Sequence, residues 1–171
     1  EDDNLTSPFF LNYMNDALNL YNNNPRVASI SGYSYPISNK RKGYYFLRLA
    51  DSWGWATWKR SWDLYEKNGK KILKKLSTKK IRYDFNFGDS FDFYRMLENF
   101  CSKKNNSWSI RWYGSMFLNK KLTLFPPKSF VENIGMDNSG VHSRSTKDYK
   151  SEMIKKYAKP VLKEIRESNY H

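Results

Sequence analysis

Glu1-Asp2-Asp3-Asn4-Leu5-Thr6-Ser7-Pro8-Phe9-Phe10 opens the chain, and the segment Arg26-Val27-Ala28-Ser29-Ile30-Ser31-Gly32-Tyr33 lies a short way downstream. Between them Phe10, Tyr13, Met14, Ala17, Leu18 and Tyr21 recur in alternating steps of three and four, the spacing of an amphipathic helix. Ser7 is a good N-cap and Pro8 a good first helical residue, while Asn22-Asn23-Asn24-Pro25 ends the pattern. The segment from Arg26 to Tyr33 alternates and is rich in branched residues, so it reads as a strand. An acidic loop, a helix and a strand in that order predict an α/β unit. The chain starts without Met on a well-signalled helix, and the expectation is that further chain precedes it.

Outward from this unit, Ser34 to Gly43 is a polar loop and Tyr44 to Leu49 a second strand. Asp51-Ser52-Trp53-Gly54-Trp55-Ala56-Thr57-Trp58 leads into a predicted helix through Arg60, Trp62 and Tyr65. The lysine-rich segment 67–80 predicts one short surface helix whose apolar face is Ile72, Leu73 and Leu76. Helices are expected over Asp89–Cys101 and Trp108–Leu118, then a strand from Leu122 to Phe125, halted by Pro126-Pro127. A loop from Asn133 to His142 follows, and a basic helix from about residue 147, kinked or restarted at Pro160, closes the chain.

Composition narrows the function classes. Of 171 residues, 39% are hydrophobic and 18% aromatic, which excludes a disordered tail and a coiled coil. The single cysteine, Cys101, excludes an internal disulfide framework and a Cys-cluster zinc site. No apolar run approaches the ~20 residues of a membrane span. The formal charge of +13 suits a nucleic-acid binder or a protein on an anionic membrane face. Abundant Lys and Asn with scarce Ala and Gly also follow from an AT-rich coding sequence, so the basic face is either functional or merely solvated.

Three constellations carry candidate chemistry. Glu1-Asp2-Asp3 places like charges side by side, a repulsion that Mg²⁺ or Mn²⁺ bridging to phosphate oxygens would offset. The alternative is decoration of a helix start, worth ~0.3–1 kcal/mol. Trp53, Gly54, Trp55, Trp58 and Trp62 form either a wall on which sugar faces stack or a core filled by large rings. His142, at the end of a loop carrying Gly135 and Gly140, is either a metal or phosphate contact or an exposed loop histidine.

Four ordered blocks resemble the centre of GT-A-fold glycosyltransferases. They are Glu1 to Phe10 with Ser29-Ile30-Ser31-Gly32-Tyr33, Ser52 to Arg60, Ser107-Trp108-Ser109-Ile110-Arg111-Trp112, and Phe130 through Asn133-Ile134-Gly135 to Gly140-Val141-His142. The likeness is to bacterial family 2 sugar transferases of surface-polysaccharide synthesis, and also to the N-acetylglucosaminyltransferase that starts complex N-glycans. It covers about residues 1–145, with 146–171 a basic helical extension. It implies an α/β fold that is the C-terminal part of a GT-A-like mixed sheet with flanking helices, the nucleotide-binding N-terminal half being absent.

The resemblance further implies an inverting transfer of sugar from a nucleotide-sugar donor to a glycan or lipid-linked acceptor. Asp3 and His142 would serve a divalent metal, Mn²⁺ or Mg²⁺. Glu1, Asp2, Trp53, Gly54 and Trp55 would meet the donor. The family's base is a carboxylate in a Trp-flanked motif, but Trp108 to Trp112 holds no acid there, so Asp92, or else Asp89, stands in for it. Both are also candidate helix-start carboxylates. Arg111 is either a phosphate contact or a core-edge salt-bridge former. The expected location is the cytoplasmic face of the inner membrane, with basic segments meeting anionic lipid and no nucleic acid bound. The rival class is a non-enzymatic, basic, Trp-rich module for anionic glycan or nucleic acid.

Overall fold

Val27, Ala28, Ser29, Ile30 and Ser31 are all buried, which makes β2 (Val27–Ser31) a central strand rather than an edge. The structure is a computed structural model and describes residues 3–36, 43–135, 152–162 and 164–165. β2 pairs in parallel with β5 (Leu122–Phe125) and antiparallel with β4 (Trp55–Thr57), while β3 (Tyr45–Leu47) pairs antiparallel with the far side of β5. The result is a four-stranded mixed sheet in the order β3-β5-β2-β4. β1 (Asn4–Thr6) and β6 (Val131–Asn133) form a separate antiparallel ribbon.

Alternation along the strands sorts the core into two clusters on opposite sheet faces. Tyr45, Leu47 and Phe125 join one, and Phe46, Leu122 and Leu124 join the other. A register shift between Val27 and Ser29 lets Val27 and Ile30, three residues apart, share a cluster. Ser29 and Thr123 meet across the buried ladder through their hydroxyls at 2.7 Å. The second face is covered by α1 (Phe10–Leu20) through Tyr13, Met14 and Ala17. The first face is covered by four helices: α3 (Gly69–Lys75), α4 (Lys79–Phe85), α5 (Phe93–Cys101) and α6 (Ser109–Leu118). α2 (Lys59–Trp62) is a single turn after β4. The chain is therefore α/β with a mixed sheet and flanking helices, and no helix among the described residues is long and apolar enough to cross a membrane.

Several boundaries differ from the sequence reading, each for a local reason. Pro8 does not begin the helix. The Ser7 carbonyl accepts from Phe10 N–H at 3.1 Å and its hydroxyl from Phe9 N–H at 3.3 Å, so Ser7-Pro8-Phe9 is a turn that precedes it. The lysine-rich segment is two helices, because Thr78 caps a new start by accepting from Ile81 N–H at 3.2 Å. α5 starts at Phe93 rather than Asp89, since Phe87, Gly88 and Asp89 have φ of 55°, 66° and 60° and cannot continue a right-handed helix.

The closing basic helix is absent among the described residues 152–162 and 164–165. There the chain straps across the second cluster, with Ile154 N–H donating to Ser129 at 2.8 Å and Ile154, Tyr157 and Ile165 packed inward. Contact with the sheet wins over the helical spacing of those apolar residues. The Tyr157 hydroxyl donates to Asp16 at 2.6 Å, and Lys159 pairs with Asp16 at 3.1 Å. These two contacts hold the Asp16 carboxyl below the usual carboxylate range, the Tyr157 bond contributing most. A depressed folded pKa gives stability that is present above the unfolded value and lost as pH falls through the folded one. Amide exchange over 152–162 is therefore expected to speed up as pH drops below about 4, after correction for the intrinsic rate. Asp16→Asn should remove that pH dependence; an unchanged acid response in the variant would assign it to another carboxylate, such as Glu152, which pairs with Lys128 at 2.6 Å.

Candidate active site

Gly32 closes the end of β2, and two neighbouring strands converge on it. Its N–H donates to the Gly54 carbonyl at 2.6 Å, and its own carbonyl accepts from Phe130 N–H at 2.7 Å. A Cβ on Gly32 would stand 2.5 Å from the Gly54 oxygen and 2.8 Å from Phe10 Cε2, so only glycine permits this approach. Gly54 has φ +53°, and a Cβ there would collide with Val131 Cγ1. Val131 is the first residue of β6, and Asn133, two residues on, pairs with Asn4 of β1. At ~3.3 Å per residue the Gly54 contact and the Asp3 end of the ribbon lie about 7 Å apart along one strand.

At that end the Asp3 carbonyl accepts from Ile134 N–H at 2.7 Å. One carboxylate oxygen of Asp3 accepts from Asn133 Nδ2 at 2.9 Å and the other from Asn4 Nδ2 at 3.2 Å. The Asn133 Oδ1 accepts from Gly135 N–H at 3.0 Å, and a Cβ on Gly135 would stand 3.2 Å from the Asp3 side chain. Asp3 and the 133–135 segment are thus locked together across the ribbon. Glu1, Asp2 and His142 lie outside the described residues.

Trp53 stands on the other side of the convergence. Its N–H donates to Asp51 Oδ1 at 3.0 Å, an Asx turn that aims the ring edge-on at Tyr33, centroids 4.8 Å apart. Trp55 leaves the turn in another direction. It stacks on Trp108 at 5.5 Å and lies 5.2 Å from Trp112 and 6.2 Å from Trp62. Trp112 is fully buried, whereas Trp62 is 43% exposed, so this aromatic pack runs from core to surface. The two halves of the Trp block have different partners: Gly54 abuts Val131 of the ribbon, Trp53 meets Tyr33, and Trp55 meets Trp62, Trp108 and Trp112.

No protein-family model, curated protein or solved structure matches the chain.

Asp92 is the N-cap of α5, accepting from Arg95 N–H at 2.9 Å and from Asn86 Nδ2 at 3.3 Å. It belongs to the helical layer, where α5 packs on α3, α4 and α6, and no described contact joins it to Asp3 or Trp53. Arg111 is a core-edge group without a carboxylate partner among the described residues. Its guanidinium lies over Phe100 at 4.2 Å and donates to the Lys67 carbonyl at 3.2 Å. Arg60 is likewise structural, donating to the carbonyls of Tyr21, Asn24 and Val27 while lying over Trp58 at 4.0 Å. Among the described residues no three His, Cys, Asp or Glu side chains gather as a metal site.

Sequence reasoning did not single out Tyr33, Asp51 or Asn133 as site residues. Asp51-Ser52-Trp53 is a readable Asx-turn signal. Nothing local marks Asn133, whose partner lies across the ribbon at the chain's other end.

Proposed function

We propose that the chain is the acceptor-side part of a GT-A-type inverting glycosyltransferase, moving a sugar from a nucleotide-sugar donor to a glycan or lipid-linked acceptor in surface-polysaccharide synthesis. The observation that carries the reading is the convergence at Gly32, Gly54 and Val131. Blocks distant in sequence meet there: the acidic opening pairs with the segment from Phe130 to Gly135, and the Trp-Gly-Trp turn abuts that same strand. The remaining block, Ser107 to Trp112, joins through Trp108 stacked on Trp55 and Trp112 tilted against it. A core built only for stability has no need to bring Asp3, a glycine turn at positive φ and the polar Asn133–Gly135 segment to one edge.

In this reading Trp53 lines the donor-sugar cleft, and Gly54, whose bare face is filled by Val131 and Phe10, lets that turn pack close against β6. Asp3 is a hard oxygen donor suited to Mn²⁺ or Mg²⁺, but one carboxylate is not a metal centre. Its companions would be Glu1, Asp2, His142 and the donor diphosphate. When bound, such an ion neutralises charge on the departing diphosphate. Asp92, engaged as a helix cap, is left out of the proposal.

The test is nucleotide release from a panel of nucleotide sugars by the full-length protein, with Mn²⁺ and with EDTA. Metal-dependent release from at least one donor is expected. A folded full-length protein that releases nucleotide from none of them would remove the enzymatic reading.

A further inference from the structure

Lys67, Lys70, Lys71, Lys74, Lys75, Lys79, Lys80 and Arg82 put eight positive charges between residues 67 and 82, with no acidic residue among them. All seven lysines are exposed. The apolar side of α3 and α4 is turned the other way: Ile72, Leu76 and Phe85 are buried in the first cluster. Thr78 breaks the segment into two helices, and Lys74, Lys75, Lys79 and Lys80 flank the turn between them. The facing acids are few. Glu66 approaches Lys71 at 3.6 Å and also acts on Lys75, and Asp84 approaches Lys80 at 3.8 Å. Both pairs are solvent-exposed and contribute little.

We propose that the α3–α4 face is a docking surface for an anionic lipid bilayer. The proposal stands apart from the glycosyltransferase reading, since it rests on the α3–α4 surface and not on the convergence at Gly32. Three observations favour lipid over nucleic acid. The exposed cations are all lysine, compact point charges without the planar fork that reads phosphates and bases bidentately. The one arginine of the segment is turned inward, with Arg82 Nε donating to the Leu76 carbonyl at 2.9 Å and its guanidinium over Tyr94 at 4.4 Å.

Second, α3 and α4 have seven residues each, about 10 Å, and no aromatic residue interleaves with the lysines of α3 to stack on bases. Third, Tyr83 follows Lys79 and Lys80 at i+4 and i+3, on the same helix face, and is 46% exposed. Phe91, in the turn after α4, is 44% exposed. The half-exposed Tyr83 ring on the lysine face matches the headgroup boundary, where such a ring places one side in apolar surroundings and the other in water.

Co-sedimentation of the full chain with phosphatidylcholine vesicles, with and without phosphatidylglycerol, reads this directly. The wild-type chain should sediment only with the anionic vesicles, and less so at high salt. The variant Lys74→Glu, Lys75→Glu, Lys79→Glu, Lys80→Glu should lose about a hundredfold or more in partitioning, as each lysine near the surface contributes to the attraction. A control with the same charge change elsewhere, Arg26→Glu, Lys120→Glu, Lys155→Glu, Lys156→Glu, should stay within about threefold of wild type, since Arg26 and Lys120 lie before β2 and β5, Lys155 and Lys156 lie on the strap over the opposite sheet face, and charges beyond the Debye length are screened. Circular dichroism checks that both variants fold. Equal losses in the two variants, or binding that ignores phosphatidylglycerol, overturn the proposal. So does submicromolar, steeply salt-dependent binding of duplex DNA without vesicle binding, which would place nucleic acid on this face.

Discussion

Gly54→Ala is expected to destabilise the protein by about 2–5 kcal/mol, a large fraction of what a domain of this size possesses. Two effects add. An L-residue at φ +53° carries a left-handed penalty of ~1–2 kcal/mol. The new methyl also drives into Val131 Cγ1 and comes within 3.1 Å of Phe10 Cε2, an overpacking that costs typically ~1–3 kcal/mol. Val131 is fully buried and held in the β1–β6 ladder, so it has little room to retreat. Gly88→Ala separates the two effects. Gly88 has φ +66°, but its nearest neighbour, the Tyr83 hydroxyl, would stand 3.5 Å away, which is ordinary contact. That variant should lose only the ~1–2 kcal/mol backbone part. Urea midpoints for the two proteins make the comparison, and equal shifts would show that Val131 gives way and that the convergence is looser than its geometry.

Long, periodic elements were legible because their signals are local. α1, α6, β2 and β5 stand within two or three residues of where spacing put them. What escaped was built by partners far away in sequence. β1 and β6 are three residues each, too short to alternate visibly, and each becomes a strand only because the other lies beside it. β4 was hidden in the run of tryptophans, whose bulk reads equally well as helix or strand until its antiparallel pairing with β2 is known. The strap over 152–162 has apolar residues at helical spacing, and its tertiary contacts override that local preference.

The site divides along the same line. That the Trp block matters was readable from its density, but not that Trp53 and Trp55 serve opposite sides of one turn. Gly54 stands between them at φ +53°, which breaks the alternation of an extended strand. Asp92 is the converse, a residue whose structural use was open to local reading. A carboxylate immediately before an apolar helix can cap it, and the bond from Arg95 N–H is that cap.

Asp3 is the residue for which fold and function make separable demands, and two substitutions should part them. Its carboxylate accepts one amide bond from Asn133 at 2.9 Å and one from Asn4 at 3.2 Å, in a partly buried setting. Removing such bonds costs about 1 kcal/mol, because water reaches the two amides once the side chain is gone. Asp3→Ala should therefore fold with a slightly lowered urea midpoint, and Asp3→Asn, which keeps an acceptor oxygen, should come closer to wild type. On the proposed function, transfer follows charge rather than shape. A neutral side chain at this position leaves charge on the departing diphosphate uncompensated, a loss of several kcal/mol at the transition state, or about a hundredfold to a thousandfold in kcat. Both variants of the full-length protein should then be deeply impaired in nucleotide release, although Asp3→Asn is nearly as stable as wild type. An Asp3→Asn protein with full activity would mean that the carboxylate only ties β1 to β6, and the acidic opening would lose its place in the proposed chemistry.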